Sequence, residues 1–141
     1  MAHSSISIGR LIRKADISII RQMNDFARQN NLTGNQMSII DYLSRQERLA
    51  ASQQAIEHEF NIRRSTTTII LQRMEKHDLI KRIVDPHDHR RRQVQLTTTA
   101  RQLIPVVHEY IKGQEQRLTN HFAPEELATV VRVMKYIEEA D

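Results

Sequence analysis

The chain has 141 residues, 39% of them apolar, and a formal net charge of +4, so it suits one domain, or one domain with an appended oligomerisation element. It contains no cysteine, which excludes disulfides, thiol redox sensing and thiolate metal sites. No apolar run approaches the roughly 20 residues that a membrane-spanning helix requires, so we expect a cytoplasmic protein with no membrane partner.

Two amphipathic helices are predicted in the first third of the chain. Residues 8–29 have apolar side chains three or four positions apart, which is the spacing of one helix face. Thr33 and Gln36 form a capping box, so a second helix begins there, and its pattern fades near Arg48. Because so few apolar residues would leave such long amphipathic segments uncovered in a monomer, we expect a core shared between subunits.

The central segment has the pattern of a helix-turn-helix. Ser52 can cap a short third helix, Asn61 suits the left-handed residue after it, and a fourth helix is predicted from Arg64 to His77. Two helices joined by so short a turn, the second with a polar face, are typical of this motif. Projection of the fourth helix at 100° per residue places Thr67, Ile70, Leu71 and Met74 on one side, and Ser65, Ile69, Gln72, Arg73 and Lys76 on the other.

A two-stranded hairpin is predicted next. Residues 80–84 and 93–97 have strand character, and the pair Asp85-Pro86 opens the turn between them. The expected fold class is therefore mainly α with a small two-stranded β-wing.

Two long helices are predicted to end the chain. Thr97 or Thr98 can cap the fifth helix, in which Pro105 should cause a kink. Pro124 suits the first turn of the sixth helix, whose apolar residues keep the helical spacing.

The positive charge of the chain is concentrated in one segment. Residues 63–92 contain nine Lys or Arg and four acidic residues, whereas the rest of the chain contains twelve basic and thirteen acidic residues. A basic patch confined to a helix and a hairpin is typical of a polyanion-binding surface.

Catalytic and metal-binding functions have little support in the sequence. With three glycines, the chain has no Gly-rich phosphate loop, and it shows no nucleophile motif. His87 and His89 lie together on a turn, but His108 and His121 are too far apart on one helix to share a site. Without cysteine or a tight His/Glu cluster, we expect no zinc site, no cofactor and no enzymatic activity.

The order of the elements and several motifs resemble the MarR family of winged helix-turn-helix transcriptional regulators. The most specific motif is Asp85-Pro86-His87-Asp88-His89-Arg90, which has the family pattern D-P-x-D-x-R and is followed by Leu96-Thr97. The resemblance extends over essentially the whole chain. It also includes Leu32-Thr33, Gln36, Ile62, Ser65-Thr66-Thr67-Thr68, Leu71, Met74-Glu75, Leu79-Ile80 and Arg82.

The resemblance implies that different parts of the chain dimerise and bind DNA. In that family two subunits pair through their first, fifth and sixth helices, the fourth helix enters the major groove, and the wing reaches an adjacent minor groove. We therefore expect residues 1–31 and 100–141 to form a helical dimerisation region, and residues 32–99 to form a winged helix-turn-helix DNA-binding domain.

The implied function is that of a sequence-specific double-stranded DNA-binding transcriptional regulator. The resemblance suggests a ligand-responsive repressor that acts as a homodimer on a pseudo-palindromic operator. Its effector would be a small lipophilic or aromatic anion, held where the dimer helices meet the DNA-binding lobe. The sequence identifies no residue of such a pocket, and neither the operator nor the target genes.

Candidate DNA contacts lie on the fourth helix and the wing. Ile69 could meet a thymine methyl, Gln72 could contact adenine, and Arg73 could contact guanine or phosphate. By resemblance, Arg90 is the minor-groove residue, and Asp88 supports it by a salt bridge. The assigned sets are Arg64, Ser65, Thr66, Thr68, Ile69, Gln72 and Arg73 on the helix, His89, Arg90, Arg91 and Arg92 on the wing, and Arg63 and Lys76 for phosphates.

Two other functions stay open at this point. A winged-helix module that binds proteins should have an apolar patch on the fourth helix and a short or neutral wing. A small-ligand-binding protein without specific DNA binding would need a convergent polar pocket.

Two further features of residues 63–92 bear on DNA binding. Protonation of His87 and His89 in mild acid could add charge to the wing and tighten DNA binding. Family members usually have a small capping residue near Arg63, so the start of the fourth helix departs from the family pattern.

Overall fold

The structure is a computed structural model that describes residues 6–140. Residues 1–5 and 141, which belong to the predicted dimerisation region, lie outside the described residues. The chain divides into two compact units, which meet in sequence between Ile104 and Pro105. The elements, in chain order, are α1 (Ile8–Arg28), α2 (Gly34–Ser44), a 3-10 turn (Glu47–Leu49), β1 (Ala50–Ala51), α3 (Gln53–Phe60), α4 (Arg64–Lys76), β2 (Ile80–Val84), β3 (Arg92–Leu96), α5 (Thr98–His121) and α6 (Pro124–Glu139).

The helix starts that follow local capping rules are confirmed. Thr33 Oγ1 accepts a hydrogen bond from the Gln36 amide at 3.1 Å, and Gln36 Oε1 accepts one from the Thr33 amide at 3.0 Å. Ser52 Oγ accepts a hydrogen bond from the Ala55 amide at 3.1 Å, which caps α3. Asn61, with φ 50° and ψ 48°, ends α3 in the predicted left-handed conformation.

Helix α2 ends at Ser44, so the prediction that it extends almost to Arg48 is wrong. Arg48 and Leu49 have φ values of 60° and 55°, which no α-helix can contain. The Gln46 side-chain amide donates to the Tyr42 carbonyl at 3.0 Å and satisfies one of the last carbonyls of the helix. The chain therefore turns sharply before it enters β1.

The sheet has three antiparallel strands in the order β1-β3-β2, so the prediction of two strands was incomplete. Strand β1 pairs with β3 through Ala50 opposite Gln95 and Ala51 opposite Val94. The hairpin pairs Ile80 with Leu96 at its base and Val84 with Arg92 at its outer end. Because Ile80, Val94 and Leu96 are buried, this end of the sheet is fixed to the core while its outer end projects beyond it.

One core holds the helix-turn-helix and the base of the hairpin together within the first unit. The large, fully buried side chains of this unit come from α2, α3, α4, β2 and β3, and removing that much apolar surface from water stabilises the arrangement of these elements. The largest of them are Met37, Ile39, Ile40, Leu43, Ile56, Leu71, Met74, Ile80, Val94 and Leu96.

Helices α5 and α6 begin as the sequence predicts. Helix α5 starts at Thr98 and continues through Pro105 as one helix, so the kink at Pro105 stays a prediction. Pro124 opens α6, and the Glu126 side chain accepts a hydrogen bond from the Ala123 amide at 2.9 Å. Between residues 6 and 140, no helix combines the length and apolar character needed to cross a membrane.

Candidate nucleic-acid interface

Helix α4 has one buried and one exposed face. Thr67, Leu71 and Met74 are fully buried, and their spacing of four and three residues puts them on one side of the helix. The predicted orientation of the helix is therefore confirmed. The exposed side consists of Ser65, Ile69, Gln72, Arg73 and Lys76, which we call the exposed face of α4.

Ile69 is the apolar residue at the centre of this face. Its side chain is 51% exposed, while Ser65, one turn before it, and Gln72, one turn after it, are exposed and polar. A single exposed isoleucine is ordinary on a protein surface. Flanked by hydrogen-bonding side chains, however, it gives the face the chemistry needed to meet a thymine methyl beside polar base edges.

Helix α4 begins without a side-chain cap. Arg63 has an extended backbone with φ −71° and ψ 152°, and its side chain makes no capping hydrogen bond. The Arg63 carbonyl accepts instead from both the Thr67 amide at 3.0 Å and the Thr67 hydroxyl at 2.9 Å. The departure from the family pattern at Arg63 thus leaves the helix start intact. The side chains of Arg63 and Arg64 are exposed and can meet phosphates.

The two flanks of the exposed face differ. Thr66 on one flank is exposed, as expected for a group open to a ligand. Thr68 on the other flank is half-buried, and its Oγ1 accepts a hydrogen bond from Gln53 Nε2 of α3 at 2.8 Å. The sequence pattern gave no sign of this contact, because it joins two helices across fifteen residues.

The carboxyl end of α4 is tied to the strands and to α5. Asp78 has φ 59°, the left-handed conformation expected after the helix. Its carbonyl accepts from Thr97 Oγ1 at 2.6 Å, and its Oδ2 accepts from Thr99 Oγ1 at 2.9 Å. Arg82 Nε of β2 also lies 3.8 Å from Glu75 Oε1 of α4. This ion pair is partly exposed and therefore contributes little to stability.

The wing consists of β2, β3 and the turn 85–91, which is folded by its own aspartates. Asp85 Oδ1 accepts a hydrogen bond from the His87 amide at 2.8 Å, and Asp88 Oδ1 accepts one from the Arg90 amide at 3.0 Å. Asparagine and aspartate favour turns because their side chains accept from the backbone two residues later. The Asp85 amide donates to the Arg91 carbonyl at 3.0 Å and closes the turn.

Asp88 also contacts two wing guanidinium groups. Its Oδ1 lies 3.2 Å from Arg90 Nε, and its Oδ2 lies 3.6 Å from Arg91 Nε. The Arg90 backbone N–H, and then the Arg90 guanidinium, lower the pKa of Asp88 below its usual value. The Arg90 side chain is nevertheless 92% exposed, so its terminal nitrogens are open to a partner. His89 and Arg92 are exposed beside it.

Most of the basic side chains of residues 63–92 have no acidic partner among residues 6–140. In the part of the molecule that the structure describes, Arg82, Arg90 and Arg91 form ion pairs, and the other six Lys or Arg of residues 63–92 form none. Unpaired cations around α4 and the wing make this surface attractive to a polyanion. Across residues 6–140, no group of three or more His, Asp or Glu side chains is placed to hold a metal ion.

Comparison with known proteins identifies the same architecture. The sequence model of the MarR family matches residues 30–91. The crystal structure of the transcription regulator MarR from Oenococcus oeni PSU-1 is 34% identical, with a TM-score of 0.87 over 95% of this chain and 100% of that one. None of the curated proteins matches the chain.

Two further structures share the fold at lower identity. The S. aureus MepR–DNA complex is 22% identical, with a TM-score of 0.82 over 94% of this chain and 99% of that one. Bordetella bronchiseptica BpsR, whose DNA binding is regulated by 6-hydroxynicotinic acid, is 23% identical, with a TM-score of 0.80 over 100% of this chain and 99% of that one. With the family match, the O. oeni relative and the helix-turn-helix and wing described above, the chain belongs to the MarR family of winged-helix transcription regulators.

Proposed function

We propose that this chain is a sequence-specific double-stranded DNA-binding transcriptional regulator that acts as a homodimer in the cytoplasm and has no enzymatic activity. The observation that carries the proposal is the exposed face of α4, where a half-exposed Ile69 lies among polar side chains. Charge alone would attract any polyanion, but this mixture of apolar and hydrogen-bonding groups suits the edges of base pairs.

The proposed contacts divide into base contacts and phosphate contacts. In the major groove, the α4 residues Arg64, Ser65, Thr66, Thr68, Ile69, Gln72 and Arg73 would contact bases or the adjoining backbone. Arg90 would enter the minor groove, because arginine is favoured where this groove is narrow and strongly negative. Asp88 would hold the Arg90 side chain in place through the ion pair with Arg90 Nε. Arg63, Lys76, His89, Arg91 and Arg92 would meet phosphates and the groove edges. The S. aureus MepR–DNA complex, which has the same fold, supports this docking.

Homodimerisation is supported by apolar surface that each unit leaves exposed. In the first unit, α1 exposes Ile8, Leu11, Ile19 and Ile20. In the second unit, α6 exposes Val130, Val131, Met134 and Ile137. Helix faces of this kind are normally covered by another chain. We therefore assign residues 1–31 and 100–141 to dimerisation and residues 32–99 to DNA binding.

A dimer with two-fold symmetry implies a pseudo-palindromic operator. Its half-sites should be about one helical turn, or ~34–36 Å, apart. We further propose repression that is relieved by a small lipophilic or aromatic anion. The regulation of BpsR by 6-hydroxynicotinic acid supports this class of effector. Titration of the protein–operator complex with aromatic carboxylates should then release DNA at a saturable concentration.

The test of the central proposal is selection of bound duplexes from a random pool, with the DNA next to the protein's own gene as a second source. The selected operator and a random duplex of equal length are then compared at several salt concentrations. We expect affinity for the operator to exceed that for random DNA by roughly 10³-fold or more. Salt-sensitive binding with equal affinity for the operator and the random duplex would mean that the chain binds DNA non-specifically, and it would contradict the proposal.

A matched pair of variants assigns the preference to α4. Gln72→Ala should reduce the operator preference, whereas Gln54→Ala, the same change at an exposed glutamine of α3, should leave it unchanged. Equal weakening of operator and random duplex by Gln72→Ala would contradict base contact by the exposed face of α4.

A further inference from the structure

Helix α3 contributes one polar side chain to the flank of α4. Gln53 Nε2 donates a hydrogen bond to Thr68 Oγ1 over 2.8 Å, and both residues are half-buried. Gln53 is the first residue of α3, and the cap by Ser52 fixes the backbone at that point. The short turn around Asn61 joins the two helices, so the Gln53 side chain and Thr68 meet in a defined arrangement.

The two adjacent threonines of α4 use their hydroxyl groups differently. Thr67 is buried and donates its hydroxyl proton to the Arg63 carbonyl at 2.9 Å. Thr68 does not repeat this bond one residue later. Its oxygen accepts from Gln53, and among residues 6–140 no hydrogen bond takes up its proton. The hydroxyl of Thr68 is therefore held as an acceptor toward α3 and keeps a proton to donate elsewhere.

A hydroxyl that can both donate and accept does not distinguish well between base edges. The amide NH₂ of Gln53 can only donate, so it occupies a lone pair of Thr68 Oγ1 and favours outward donation of the Thr68 proton. We propose that Gln53 is a positioning residue that makes Thr68 a hydrogen-bond donor toward an acceptor on a base edge in the major groove. The acceptors of this class are guanine N7 and O6, adenine N7 and thymine O4.

This inference rests on the proposed DNA-binding function and adds a residue of α3 to the determinants of sequence preference. It requires that the flank of α4 next to α3 faces the duplex. Arg64, one turn before Thr68, is exposed on the same flank and could hold the neighbouring phosphate. The preference then depends on the direction of one hydrogen bond, and a substitution that reverses the direction should change it.

The decisive variant is Gln53→Glu. A carboxylate of the same shape can only accept, so Thr68 would donate to Glu and present its lone pairs to the DNA. At the base pair that Thr68 contacts, the wild-type protein should prefer an acceptor on the base edge, whereas Gln53→Glu should favour an amino group there. The affinity for the original operator, relative to an operator with an amino group at that position, should therefore fall roughly 3- to 10-fold. The matched control is Gln54→Glu, which adds the same charge at the next, exposed position of α3 without contact to Thr68.

The measurement is the relative affinity of each protein for the selected operator and for every single-base-pair substitution of it. We expect Gln54→Glu to weaken all duplexes alike and to keep the wild-type order. Gln53→Glu should reorder the preferences at one position of each half-site, and Thr68→Val should abolish the preference at that same position. Circular dichroism checks that each variant is folded, and Thr68→Val tests the position independently of Gln53→Glu.

The outcomes separate this inference from the function on which it rests. A wild-type protein with no sequence preference overturns the proposed function and this inference with it. A wild-type preference that persists, with the same order in Gln53→Glu and Gln54→Glu, overturns the inference alone. Uniform weakening of all duplexes by Thr68→Val would assign Thr68 to a phosphate and would likewise overturn it.

Discussion

Truncation of Ile69 to alanine tests whether the exposed face of α4 contacts bases. The Ile69 side chain is 51% exposed, and full burial of an isoleucine side chain contributes about 1.5–3 kcal/mol. Burial of the exposed half against a thymine methyl would therefore contribute about 0.8–1.5 kcal/mol to binding. At about 1.4 kcal/mol per factor of ten, we expect Ile69→Ala to weaken binding to the operator about 4- to 12-fold.

The same truncation should affect folding only slightly. Removal of the half of Ile69 that is already buried costs about 0.8–1.5 kcal/mol of unfolding free energy. Alanine has a higher helix propensity than isoleucine, which offsets about 0.4 kcal/mol of this cost. The net cost of about 0.4–1.1 kcal/mol is small beside the ~5–15 kcal/mol typical of folded domains. A change in binding can therefore be separated from a change in folding.

Fluorescence anisotropy with the selected operator and a random duplex of equal length gives the ratio of the two dissociation constants. The random duplex is the internal control, because it is bound by the same protein through the same phosphate contacts. We expect the ratio to fall about 4- to 12-fold in Ile69→Ala. Equal weakening of both duplexes by Ile69→Ala would refute a base contact.

Three further predictions concern the wing and the terminal helices. Replacing Arg91 and Arg92 by glutamine should flatten the slope of log affinity against log salt by about 0.9 for each DNA phosphate that is no longer neutralised; an unchanged slope would exclude phosphate binding by both arginines. Because the pKa of Asp88 is lowered, chiefly by the Arg90 amide, its support of the turn should be present at neutral pH and be lost as the pH falls through that lowered pKa. Asp88→Asn should remove this acid transition from the NMR shift of the Arg90 amide, and a persisting transition would assign it to another group. Val131→Asp should convert the dimer to a monomer in analytical ultracentrifugation, and a surviving dimer would count against a role for α6.

Features that depend on neighbouring residues could be predicted from the sequence. The capping box of Thr33 and Gln36 and the left-handed conformation of Asn61 follow from the chemistry of residues a few positions apart. The buried side of α4 follows from its apolar spacing, because Leu71 and Met74 can be buried together only on one face.

Features that depend on distant residues could not be predicted. Strand β1 contains just Ala50 and Ala51, which have no alternation to identify, and it forms because β3 lies beside it. The turn after α2 includes Arg48 in a left-handed conformation, and the Arg48 carbonyl accepts a hydrogen bond from the Gln95 side chain at 2.8 Å, across 47 residues of sequence. In the candidate interface, the role of Gln53 depends on a side-chain contact across fifteen residues.

Contacts with phosphates cannot by themselves give this surface a sequence preference. Residues 63–92 carry nine cations against four acids, but phosphates have the same charge at every base pair, so contacts with them add affinity without preference. Ile69 offers an apolar contact, Gln72 offers both a donor and an acceptor, and Thr68 offers a proton directed by Gln53. Because Gln53 and Thr68 lie on different helices, the preference should depend on how α3 and α4 are arranged as well as on the residues of α4. Transfer of α4 alone into another winged-helix protein should therefore carry over part of the preference, and transfer of α3 with α4 should carry over more of it.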